Sequence, residues 1–173
     1  MSASKRRKNS LRHPHWDYRN RAFYFVTILT YQRLCFFDDA NLKARIEEIF
    51  LTIPKWDSCS HVKIDEWVVM PNHIHAIFFL DLDPNELELL EHKNTPKSLG
   101  TVVGTFKRVS TRLLRPMMGE DFYRLWHRGY HDRIVRNERE LNAIRQYIQQ
   151  NPAKWEEDKN NLDSLLTRMT PHQ

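Results

Sequence analysis

A chain of 173 residues, 40% hydrophobic and 28% charged, is most simply one domain that buries roughly two thirds of its surface on folding. No apolar run approaches the roughly 20 residues a membrane helix needs, and the basic N-terminus lacks the apolar segment of a secretory signal. Two isolated thiols, Cys35 and Cys59, argue against a disulfide scaffold or a cysteine-built zinc site. A reducing cytoplasm is the expected compartment, with no membrane partner.

The formal net charge is +5, but the charge is concentrated. Residues 1–21 hold Lys5, Arg6, Arg7, Lys8, Arg12, Arg19 and Arg21 against Asp17 alone. Residues 96–136 hold nine Lys/Arg against Glu120, Asp121 and Asp132. Residues 81–91 carry five acids and no base. Two basic zones on a nearly neutral body point to an anionic polymer as partner.

In chain order, residues 1–21 read as a basic arm in which Trp16 and Tyr18 lie among arginines, a mixture suited to phosphates and bases. Phe23 to Tyr31 is aromatic and β-branched, a buried strand. Asp38 and Asp39 cap a helix expected to run to about Trp56, with Pro54 at its frayed end. His61 to Met70 and His73 to Leu80 are two strands separated by the turn at Pro71-Asn72. An acidic loop or short helix covers 81–95. Ser98 caps a basic amphipathic helix to about Leu114. Its Leu99, Val102, Val103, Phe106, Val109 and Leu113 are expected to face the core, and Lys107, Arg108, Arg112 and Arg115 solvent or phosphate. Residues 125–135 lead into an edge strand, and Glu138 to Gln150 is a helix stopped by Asn151-Pro152.

The order β-α-β-β-α-β plus a helix predicts an α+β fold, a ferredoxin-like antiparallel sheet with an appended C-terminal helix. The expected divisions are the arm at 1–21, a catalytic domain at 22–155 and a polar tail at 156–173.

Val68 to Leu80 (VVMPNHIHAIFFL) carries the sharpest chemistry. Side chains alternate along a strand, so His73 and His75 share a face and can grip one ion. Tyr147 and Asn151 lie four residues apart, at the edge of the apolar arc of Leu141, Ile144 and Ile148. Packing that arc on the sheet would set an amide oxygen and a phenol beside two imidazoles. A phenol with a pKa of about 10 is only about 0.1% ionised at pH 7, a deficit of roughly 4 kcal/mol. A divalent ion on His73, His75 and Asn151 would offset much of this. Tyr147 would then attack phosphorus and conserve the bond energy as phosphotyrosine.

At this point the chain resembles the REP-associated tyrosine transposases of the His-hydrophobic-His superfamily of single-strand endonucleases. The matching residues are Tyr24-Phe25-Val26-Thr27, Trp67 to His75 (WVVMPNHIH), Lys107, Trp126 to Tyr130 (WHRGY), Ile134-Val135-Arg136 and Tyr147 to Pro152 (YIQQNP). They span about residues 15–155, and their order is specific. The resemblance implies His73 and His75 as metal ligands, Asn151 as a third, Tyr147 as nucleophile and Mg²⁺ or Mn²⁺ as the ion. On ligand type alone Mn²⁺ or Zn²⁺ fits at least as well as Mg²⁺. It further implies cleavage and rejoining of single-stranded DNA bearing hairpins of repetitive extragenic palindromes. His127 departs from the pattern, which has glutamine there. Two alternatives stand beside this reading: a non-catalytic binder of structured nucleic acid, and a phosphoesterase that uses water.

Overall fold

The computed structural model describes residues 17–57, 59–82, 96–120 and 122–155. Its strands are β1 (Ala22–Leu29), β2 (Val62–Met70), β3 (His73–Leu80) and β4 (His131–Val135), and its helices α1 (Ala40–Leu51), α2 (Leu99–Leu114) and α3 (Glu138–Gln150). The strands form one sheet in the order β2-β3-β1-β4, every neighbouring pair antiparallel. This is the expected ferredoxin-like arrangement, with α3 as the appended helix. The acidic stretch at 83–95, the arm before Asp17 and the tail after Trp155 lie outside the described residues.

Each helix begins where a side chain supplies the acceptor its first turn lacks. Asp39 accepts from the N–H groups of Asn41 and Leu42, Ser98 from Thr101, and Asn137 from Glu140. The first helix stops at Leu51, short of the expected Trp56. Pro54 has no N–H to continue the ladder, so Ile53–Lys55 tightens into a 3₁₀ turn.

Period-two alternation divides the sheet's two faces. Tyr24, Val26 and Ile28 of β1 and Ile74, Ala76, Phe78 and Leu80 of β3 join the main core with α1 and α2. Phe25 and Ile77 point the other way, against Leu141, Ile144 and Ile148 of α3. On α2, Leu114 and Ser110 are buried while Leu113 is 37% exposed. Val109 packs half-buried against the core as expected, but Leu114 takes the place expected of Leu113, which corrects the placement of Leu113. Tyr18 belongs to the core, stacks near Tyr24 at 5.8 Å and accepts from the Leu99 N–H through its carbonyl. Packed structure thus begins inside the segment expected to be the arm.

A bulge in β2 positions α3. The pairing runs Ile64↔Phe78 and then Trp67↔Ala76, so β2 spends one residue more than β3. The extra residue flips the alternation, returning Trp67 and Val69 to the main core. It also presents adjacent acids to the helix: Asp65 takes a bidentate contact from Arg145 at 2.6 and 2.7 Å, and Glu66 accepts from Gln149 at 3.0 Å.

The apolar half of this attachment is small, so each member counts. Replacing fully buried Ile148 by alanine should cost about 2–5 kcal/mol of stability. Urea unfolding measures this, and a loss under about 1 kcal/mol would show that α3 is not held by this cluster.

Candidate active site

Strand β3 places His73 and His75 on the face that α3 covers, where they are 0% and 1% exposed. Their ring centroids lie 4.4 Å apart. Each ring is oriented by a neighbour on the sheet. His73 Nδ1 lies 2.7 Å from the amide oxygen of Asn72. That oxygen can only accept, so the proton sits on Nδ1 and Nε2 carries a lone pair. His73 Nε2 has no hydrogen-bond partner. His75 Nδ1 lies 2.9 Å from Thr27 Oγ1, its cross-strand neighbour on β1. Its Nε2 faces the Tyr147 hydroxyl at 3.2 Å.

Helix α3 brings Tyr147 to this pair. Leu141, Ile144 and Ile148 fix the helix on the sheet, and Tyr147 packs at their edge with its ring 5.3 Å from His75 and edge-on to Phe25 at 6.2 Å. Asn151 is the helix C-cap, and the chain turns through Pro152–Lys154 so that Trp155 lies 5.9 Å from the His73 ring. Asn151 is therefore bracketed between two residues that touch the histidines. It is 1% exposed, and neither of its amide atoms has a hydrogen-bond partner.

Burial sets the electrostatics. Desolvation, and secondly the charge of Arg33, push the His73 imidazole down to about 3. Desolvation, and then His73, hold His75 well below its usual range. Both rings are neutral at pH 7, the form that binds metal.

The donor set fits a divalent cation. An imidazole lone pair and an amide oxygen, both buried and unpartnered, would each be costly unless something completes them. Among the described residues no group of three or more His, Cys, Asp or Glu could hold a metal. An ion here would keep its full charge and several positions open for phosphate oxygens.

The expected DNA-contacting residues divide. Arg108 and Arg112 are exposed on α2. Lys107 instead donates to the carbonyls of His127 and Gly129, with burial lowering its ammonium to about 8. Arg19 forms a bidentate pair with Asp17, and Arg21 meets Asp81 at 3.0 Å. Lys5, Arg6, Arg7, Lys8 and Arg12 lie outside the described residues. Trp126 is core, its Nε1 donating to Ser110 at 2.9 Å. His127 is exposed and accepts from the Gly129 N–H, while His61 meets the Lys97 carbonyl. Sequence reasoning set Asn72 in a turn and Thr27 in a matching motif, but gave neither of them, nor Trp155, a part in orienting or covering the histidines. Cross-strand register could have found Thr27; nothing local marks Trp155.

The profile of the family described as "Transposase IS200 like" matches residues 18–151. The chain belongs to that family and is a transposase. A Haemophilus influenzae protein of uncharacterized function is 30% identical over 171 residues, 90% of this chain and 94% of the relative. A REP-associated tyrosine transposase solved bound to a REP hairpin shares the fold at a TM-score of 0.57. It is 17% identical, with 89% of this chain and 74% of that one covered. No described helix is long and apolar enough to cross a membrane.

The histidines make apo-protein stability pH-dependent. Their folded values lie below the ordinary 6.5, so below about pH 6.5 the unfolded chain binds more protons. Stability is then fully present above pH 6.5 and falls as pH drops toward 3, by up to about 1.4 kcal/mol per pH unit for each ring. Urea midpoints at pH 7.5 and 5 in chelator should show this loss, and equal midpoints would contradict the buried neutral pair.

Proposed function

We propose that this transposase nicks and rejoins single-stranded DNA through a 5′-phosphotyrosine on Tyr147, with a divalent ion, Mg²⁺ or Mn²⁺, held by His73, His75 and Asn151. The observation that carries this reading is the Tyr147 hydroxyl 3.2 Å from His75 Nε2, above a buried histidine pair whose second free nitrogen is unpartnered. A bound ion would act as a Lewis acid on the phosphate and stabilise charge on the leaving oxygen.

The chain's own residues do the rest. Asn72 and Thr27 hold the imidazoles in one orientation. The phenol rests in hydrogen-bond contact with His75 Nε2 and would give up that contact when an ion takes the nitrogen's lone pair. Helix α3 is anchored by its apolar arc and by Arg145 on Asp65, so the nucleophile is positioned rather than free. In the reaction the Tyr147 oxygen–phosphorus bond forms and the phosphorus–O3′ bond breaks. The phenolic proton is lost to water, and the 3′ oxygen leaves as a hydroxyl. Reversal with another 3′ hydroxyl restores the phosphodiester and the phenol, which a nuclease using water could not do. The hairpin bound by the structural relative favours hairpin-bearing single strands as substrate. The site of action is the nucleoid, in the cytoplasm.

Incubating the protein with end-labelled hairpin DNA and Mn²⁺ should yield a denaturation-resistant adduct. Tyr147→Phe should abolish it, and His73→Ala should reduce it at least 100-fold. Cleavage that survives Tyr147→Phe but not His73→Ala would mean water is the nucleophile. Binding without any adduct would leave a non-catalytic DNA binder.

The basic arm is the second testable part. Because Tyr18 is core, truncation must stop at residue 16, removing Lys5, Arg6, Arg7, Lys8 and Arg12. The dependence of log affinity on log salt should then flatten by up to about 3.5, at about 0.7 per phosphate on a single strand. An unchanged slope would refute a DNA role for these residues.

A further inference from the structure

One exposed constellation lies outside the histidine–tyrosine site. Tyr123 is 74% exposed, more than any other large apolar side chain among the described residues. It does not pack inward. Its ring meets Tyr31 at 5.9 Å and 60°, and the Arg124 guanidinium lies 5.3 Å from both ring centroids. An arginine on an exposed ring recovers only part of the cost of leaving that ring in water.

These residues are built into the frame of the active site. Thr30 bridges to Trp126, and the Tyr31 N–H donates to the Leu125 carbonyl at 2.8 Å. Thr30 donates from both its N–H and its hydroxyl, each at 2.9 Å, to the carbonyl of Asn72, the residue before His73. Gln32 and Arg33 both hold left-handed backbone, with φ of 50° and 56°. Residues with side chains keep that conformation only where the surroundings impose it, and such strain gathers at functional sites. The turn carries Arg33 close enough for its charge to act on His73. An open hollow of about 540 Å³ is lined by Arg112, Arg115, Glu120 and Phe122, the residue before Tyr123.

We propose that Tyr31, Tyr123 and Arg124 form a stacking platform for an unpaired base of the DNA strand that passes the nucleophile. Arg33 meets the backbone on the side of the histidines, and Arg112 and Arg115 meet it on the far side. Every base has a π face, so aromatic rings bind unpaired strands with little sequence preference, and flanking arginines match the phosphates between bases. A surface built for a duplex backbone alone needs no exposed rings. The inference rests on the reading of single-stranded DNA as substrate, and it adds where the strand runs.

The probe is a fluorescein-labelled DNA hairpin with 2-aminopurine placed at successive positions of its unpaired flank. With the wild-type protein at least one position should change its fluorescence on binding, and Tyr123→Ala at saturation should abolish that change. Tyr123→Ala should weaken binding about 10-fold without altering the salt slope, and Tyr123→Phe should restore wild-type affinity. Arg115→Ala should instead flatten the slope by about 0.7. A Tyr123→Ala affinity within twofold of wild type, or no responsive position, would overturn the platform. Adduct formation on the same DNA separates the two ideas. An adduct with Tyr123→Ala binding unchanged removes the platform alone. A Tyr123-dependent signal without any adduct keeps the platform and removes the phosphotyrosine reading. No binding to the single strand removes both.

Discussion

His73 and His75 alternate with Ile74 and Ala76 along β3, and the rest of the molecule follows from how that alternation is buried on both sides. Ile74 and Ala76 go into the main core beneath α1 and α2. The imidazoles go to the opposite face, where water would reach them if α3 did not cover them. Covering two basic rings with no charge partner among the described residues keeps them neutral, and it leaves the Nε2 lone pair of His73 without a hydrogen-bond partner. The same helix that excludes water delivers the phenol. Covering the histidines and bringing the phenol to them are therefore one packing event.

Two unlike attachments hold that helix. The apolar arc of Leu141, Ile144 and Ile148 on Phe25 and Ile77 supplies most of the energy. The Arg145–Asp65 and Gln149–Glu66 contacts are partly exposed and contribute less. Their value is in direction: they tie the helix to the bulge of β2 and set the rotation that points Tyr147 at His75. A helix held by three aliphatic residues alone would have more freedom to roll.

The loops at the histidine end of the sheet act as one unit. Phe37, Thr30 and His127 all make backbone hydrogen bonds into the strand ends or the Pro71-Asn72 turn, and Lys107 closes the 127–129 carbonyls from below. Lys107 is thus a support for the WHRGY loop in this structure, where a helix wheel would make it a phosphate ligand. The aromatic–arginine surface at Tyr31 and Tyr123 stands on the same framework.

What the sequence by itself determined was local and periodic. The shared face of His73 and His75 follows from the two-residue repeat of a strand. The spacing of Tyr147 and Asn151 follows from the helical turn, and the element order follows from caps, turns and apolar patterns. Covalent geometry enforces each over a few residues, whatever lies elsewhere. Tertiary structure decided what depends on approach from a distance. The bulge at Asp65-Glu66 flips the faces of Trp67 and Val69, and the phase of α2 buries Leu114 instead of Leu113. Lys107 finds loop carbonyls twenty residues away, Trp155 folds back over His73, and Tyr31 meets Tyr123 across ninety residues of chain. No local pattern encodes those contacts, because each is settled by which surfaces the packed sheet and helices bring together.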